Sequence, residues 1–200
     1  MKKHFYLLLA ATLLFTACKN RQKYSYQTKD ANGNSISASV DMSNMEKKTD
    51  EMNQKMEALK KLKPLTLDQL KALLPEELNG IKRTNFNANT TMGFALAEAE
   101  YQKDDTTNIK LAVYDCAGDA GASIYALTYW TKMNVQSESS DGYTKTIDFN
   151  GEKAVEAYEK NNNETTLTYS SGDRLLVVLT GRNVNADALK QAAQSLKLKA

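Results

Sequence analysis

Between residues 81 and 181 short runs alternate apolar and polar side chains, and each run stops at a turn signal. A period of two buries one face of an extended segment and leaves the other outside, which drives such a chain toward a sheet. Ile81 to Phe86 reads as the first strand. In Phe94 to Tyr101, Ala95, Ala97, Ala99 and Tyr101 share one face, and small side chains there let a helix or ligand come close. Ile109, Leu111 and Val113 alternate on a third strand. Tyr143 to Phe149 and Glu152 to Tyr158 flank Asn150-Gly151, a strong signal for a two-residue type I′ hairpin. Thr165 to Ser170 and Leu175 to Gly181 follow, joined through Ser171-Gly172-Asp173-Arg174, and Leu175 to Leu179 is apolar at every position. Such a run fits a strand covered on both faces.

Helical patterns punctuate this series. Met42, Met45, Thr49, Met52, Met56 and Leu59 recur at alternating spacings of three and four, an apolar stripe on a helix over residues 42–63. That stripe packs on the chain's own domain, meets a second protein or a second copy, or belongs to a mobile stalk. Pro64 ends it, and Thr66-x-x-Gln69 is a capping box opening a short helix through Leu74. Ala122 to Met133 reads as a helix carrying Tyr125, Tyr129 and Trp130. Core packing is the plain reading of these aromatics. The functional one is a pocket between this helix and the sheet. Asn185 caps a last helix bearing Leu189, Ala192 and Leu196. The order predicts an α+β fold. Its sheet is mainly antiparallel, of about six to seven strands with helices against it, and an N-terminal amphipathic helix precedes it.

The first eighteen residues constrain location. Lys2 and Lys3 form a positive head, an apolar run spans Phe5 to Phe15, and Thr16-Ala17-Cys18 follows. The run is shorter than the ~20 residues a bilayer span needs, so it reads as an export signal over residues 1–17. Phe15-Thr16-Ala17-Cys18 resembles the lipobox of bacterial lipoproteins, with Phe15 where leucine is commonest. The resemblance implies cleavage before Cys18, a diacylglycerol thioether on its sulfur and a palmitate-type acyl chain on the new N-terminus. Several chains together hold a protein stably on a membrane. Lys19, rather than aspartate, is similar to the sorting residue of outer-membrane lipoproteins facing the periplasm. Residues 18–41 are rich in Ser, Asn, Gln and Lys and read as a flexible tether, leaving residues 64–200 as the globular domain. Lys19, Arg21, Lys23 and Lys29 lie in this stretch with no acid among them, a charge pattern that suits anionic headgroups or plain solvation.

Composition narrows the chemistry. Removing Lys2 and Lys3 from the 26 basic residues leaves 24, equal to the 24 acidic ones. No clustered basic face suggests a nucleic-acid partner. The single histidine is His4, inside the signal, so the exported chain lacks the usual general base and the usual metal ligand. No cofactor, metal site or catalytic residue is assigned. Glu98, Glu100, Asp115, Glu156 and Glu164 are the carboxylates available for pairing, and solvated surface is their plainest reading. With Cys18 lipidated, Cys116 has no partner for a disulfide. It is a buried small side chain or a reactive thiol. Gly118 to Gly121 follows a strand and precedes a helix, but it is neither phosphate-binding fingerprint and reads as a glycine turn.

Residues 74–198 resemble a family of Gram-negative envelope proteins, many of them lipoproteins, with no established activity. The residues carrying the likeness are Leu74-Pro75, Leu78, Gly80, Met92-Gly93, Ala99, Tyr101, Asp115, Gly118 and Gly121. Gly142-Tyr143, Gly151, Glu156, Tyr158, Asp173-Arg174 and Gly181 complete it. The likeness implies a compact α+β envelope domain. The expectation is a lipid-anchored periplasmic binding or adaptor module without catalysis, its partner met through residues 42–63. The alternative is a small-ligand or lipid carrier using Tyr125, Tyr129 and Trp130, and a histidine-independent enzyme ranks last.

Overall fold

The structure, a computed structural model, describes residues 23–29, 35–41, 45–129 and 133–198. The strands are β1 (Lys23–Lys29), β2 (Ser35–Asp41), β3 (Glu77–Leu78), β4 (Ile81–Asn89), β5 (Ala95–Gln102) and β6 (Asn108–Asp115). After them come β7 (Asn134–Ser139), β8 (Gly142–Phe149), β9 (Glu152–Glu159), β10 (Glu164–Ser171) and β11 (Leu175–Arg182). Four short helices accompany them: α1 (Met45–Lys60), α2 (Leu67–Ala72), α3 (Gly118–Thr128) and α4 (Ala186–Ser195). All eleven strands join one sheet in the order β1-β2-β7-β8-β9-β10-β11-β6-β5-β4-β3, every neighbour antiparallel.

This corrects the expected sheet of six to seven strands behind an N-terminal helix. A strand hairpin, β1–β2, precedes α1, within residues expected to be tether. The added strands share a cause. β1 (KYSYQTK), β2 (SISASVD) and β7 (NVQSES) are mostly polar or small, so they carry little hydrophobic signal. Backbone pairing extends a sheet without burying large side chains: β1 matches β2 residue for residue from Lys23↔Asp41 to Lys29↔Ser35. β3 is two residues long, below any periodicity.

The two faces of the sheet are covered differently. On one, α2 packs on β4 and β5, and α4 packs on β10 and β11. Leu70, Leu73 and Leu74 and then Leu189, Ala192 and Ala193 complete a core with Ala95, Ala97, Ala99, Leu111, Val113, Val177 and Leu179. Burying each leucine fully stabilises the fold by about 2 kcal/mol. The alanine face of β5 is where α2 approaches. The capping box of α2 is complete: the Gln69 N–H donates to Thr66 Oγ1 (3.3 Å), and the Thr66 N–H donates to Gln69 Oε1 (2.9 Å). Asn185 Oδ1 accepts from the Ala188 N–H at 2.9 Å and caps α4.

On the opposite face a smaller cluster joins Leu59 of α1, Ala122 of α3, Cys116 and Leu176, with Tyr114, Ile124 and Tyr125 against it. The start of β11 is therefore buried on both faces, with Leu175 and Val177 on one and Leu176 on the other. β8 and β9 turn at Asn150 (φ 51°) and Gly151 (φ 82°), two left-handed residues as a type I′ turn requires. α1 and α3 lie over only part of their face, and among the described residues no helix covers the sheet floor beside β4 and β5 on that side.

Candidate functional site

Two buried carboxylates are held by cations. Asp115, fully buried at the end of β6, receives Arg174 Nε at 2.8 Å on Oδ1 and Arg174 Nη2 at 2.6 Å on Oδ2. The Leu65 and Ala117 N–H groups donate to the same carboxylate, and Arg174 Nη2 also donates to the Lys63 carbonyl. This fork ties the start of β11 to β6 and to the segment entering α2. Arg174 thus reaches inward, while the exposed Asp173 next to it meets Lys55 at 2.6 Å.

Glu156 of β9 is 2% exposed. Its Oε1 accepts from the Tyr143 hydroxyl and lies 2.9 Å from Lys145 Nζ. Lys190 of α4 approaches Oε2 at 3.0 Å, close enough for an ion pair although its alignment falls short of a hydrogen bond. Burial alone would raise the Glu156 pKa. The bonds from Lys145 and Tyr143 and the nearby Lys190 ammonium outweigh burial and hold the carboxyl below its ordinary value. Burial, then the bond to Glu156, pushes the Tyr143 hydroxyl up to about 12, far from a useful general base near neutral pH. Both carboxylates are thus engaged in holding elements together. Among the described residues no group of three His, Cys, Asp or Glu side chains is placed to hold a metal ion.

The other residues singled out in the sequence separate. Cys18, Met42 and Trp130 lie outside the described residues, as does the side chain of Met45. Thr49, Met52 and Met56 are half-buried and Leu59 is buried, whereas Asp50, Glu51, Asn53, Gln54 and Glu57 are exposed. The described part of the stripe therefore faces inward, and α1 packs against α3. Tyr125 lines an open cavity of about 260 Å³ whose other walls include Glu51, Lys55, Glu152, Asp173 and Arg174. That lining is charged and suits no acyl chain. Tyr129 is buried, and its hydroxyl has no hydrogen-bond partner among the described residues. Cys116 is buried, and burial followed by the Asp115 charge pushes its thiol up to about 12, which suppresses thiolate chemistry. At Gly121 a Cβ would come within 2.5 Å of the Cys116 carbonyl carbon, so this glycine permits α3 to start against the end of β6.

Sequence reasoning missed the edge of the sheet at β4. β3 covers only Ile81 and Lys82 of that strand. From Asn85 to Asn89 β4 pairs with β5 on one side and with no described strand on the other. Proteins usually blunt such an edge with lysine, proline or a covering element. Here the exposed Asn85, Phe86 and Asn87 occupy it. The sheet floor beside them carries two cross-strand rows, Asn85–Glu100–Lys110–Thr180 and Asn87–Glu98–Ala112–Val178. They line an open cavity of about 230 Å³, within which Asn87 Nδ2 donates to Glu98 Oε2 at 3.3 Å. Arg83 lies 4.7 Å over the Phe86 ring and steadies it. Polar groups flank a short apolar patch next to unpaired backbone, an arrangement that can receive an extended chain. No family model, no curated protein and no solved structure matches the chain.

Proposed function

We propose that the protein is a lipid-anchored envelope lipoprotein, held through Cys18, whose domain binds an extended segment of another envelope protein along β4. The observation that supports this reading is the uncovered run Asn85–Asn89 beside the two polar rows. Backbone N–H and C=O groups of an added strand would give affinity, and alternate side chains would be read by Phe86 and by the Asn85–Glu100–Lys110 row. The methionine stripe of α1 then serves the domain's own packing against α3 rather than the partner. The reaction is association, with no bond made or broken.

A photo-crosslinking residue in place of Phe86, expressed in cells that export and anchor the protein, tests this. The expected result is one discrete adduct with an envelope protein, lost when Asn85→Lys and Asn87→Lys place charge on the edge. An adduct that survives both lysines, or its absence at Phe86 beside efficient crosslinking through α1, would move the partner elsewhere.

A further inference from the structure

At the opposite end of the sheet, too, the last strand has no further neighbour among the described residues. β1 is the last strand on that side, and its seven residues are exposed throughout. Its sequence alternates strictly. Tyr24, Tyr26 and Thr28 share one face, which the register continues across β2 as Val40, Ala38 and Ile36. Lys23, Ser25, Gln27 and Lys29 share the other. Tyr24 is 57% and Tyr26 61% exposed, a large aromatic surface for an edge strand. Tyrosines with an apolar body and a polar tip favour the boundary between acyl chains and headgroups.

We infer that the β1–β2 hairpin lies in the headgroup layer of the membrane carrying the anchor, its tyrosine face toward the acyl chains and Lys23 and Lys29 snorkelling to lipid phosphates. The inference rests on the lipid-anchor reading of Cys18. Chain length supports it: Cys18 to Lys23 reaches roughly 17 Å even when fully extended, so a lipidated Cys18 keeps β1 beside the bilayer. Charge supports it too: Lys19, Arg21, Lys23 and Lys29 complement anionic headgroups and outnumber the one acid of the two strands, Asp41, which stands opposite Lys23. Long lysine side chains on the far face of a strand can reach around to the phosphates. In this placement β1 and β4 stand at opposite ends of the sheet order, one edge at the lipid and the other at a partner.

The test uses the mature lipidated chain in vesicles of phosphatidylethanolamine and phosphatidylglycerol. Nitroxide labels are placed on Thr28→Cys or Gln27→Cys, neighbours on opposite faces of β1, while the buried Cys116 stays unlabelled. Mass analysis of the N-terminal peptide first establishes acylation of Cys18. The expected result is an oxygen-to-nickel accessibility ratio several-fold higher at residue 28 than at residue 27. That difference should vanish in a Tyr24→Ser, Tyr26→Ser variant that stays bound through its anchor. Equal aqueous accessibility at both positions on acylated, vesicle-bound protein would overturn the docking and leave the anchor standing. An unmodified Cys18 would overturn both. Labels at residue 28 shielded from oxygen and nickel alike, and coupled to one another, would put a second copy on β1 and overturn the membrane reading.

Discussion

Asp115 and Glu156 bring charge into places where water is excluded, and each makes a measurable demand on its partners. Arg174 answers Asp115 with a two-pronged bond, and two backbone N–H groups complete the shell. Removing one member of such a pair leaves an uncompensated buried charge. Arg174→Ala should therefore cost about 3–5 kcal/mol in urea unfolding, with Arg174→Met plus Asp115→Asn recovering much of it. A loss within error of zero for Arg174→Ala would mean water reaches Asp115. Glu156 makes a pH-dependent demand. Its folded pKa lies below its ordinary 4.5, so its stabilising effect is complete above that value. The effect is lost as pH falls below 4.5 toward the folded value, because the unfolded chain takes up the proton first. The melting temperature of the native protein should thus fall more steeply below about pH 4.5 than that of Glu156→Gln. Parallel curves would show that Lys145 and Lys190 do not hold the carboxylate in the folded state.

At the scale of elements, what could be read in the sequence followed side-chain chemistry closely. The Asn150-Gly151 turn, the Thr66–Gln69 box and the Asn185 cap are local devices whose few residues contain the whole mechanism. Strands with large alternating apolar residues were legible for the same reason: Ile109, Leu111 and Val113 enter the core in turn along β6. β1, β2 and β7 were not, because serine, glutamine and asparagine bury little and their pairing is written in the backbone. The partner of Arg174 was illegible too. Asp115 is 59 positions away, and only the β6–β11 register brings it near. The α1 stripe was visible as a pattern, but α3 as its partner came from tertiary packing.

For the whole molecule, this blindness to polar strands hid the β1-β2-β7 end of the sheet, whereas β4 was legible as a strand and only its place at an edge was not. Counting apolar strands alone gives a smaller sheet and places the chain before residue 42 in a tether. Pairing instead joins eleven strands of the described residues in one array, whose two edges lie far apart in strand order. The interior explains the fold, and the proposed partner and membrane contacts lie at its two edges. Glu98 and Glu100 stood out in the sequence as carboxylates, yet their place is on an open floor beside Asn85 and Asn87. Their neighbour across that floor, the bare backbone of β4, has no signature in side-chain letters.

Hydrogen exchange of the amides in residues 84–89 addresses the central claim, binding along β4, most directly. It should be measured on the purified mature protein and again in native envelope membranes. In the purified protein the outward amides of this run should exchange quickly, since no described strand pairs with them. In the membranes the same amides should slow markedly, while the exposed turn at residues 160–163 keeps its rate. Unchanged fast exchange at 84–89 in the membranes, with new protection elsewhere on the domain, would contradict the account.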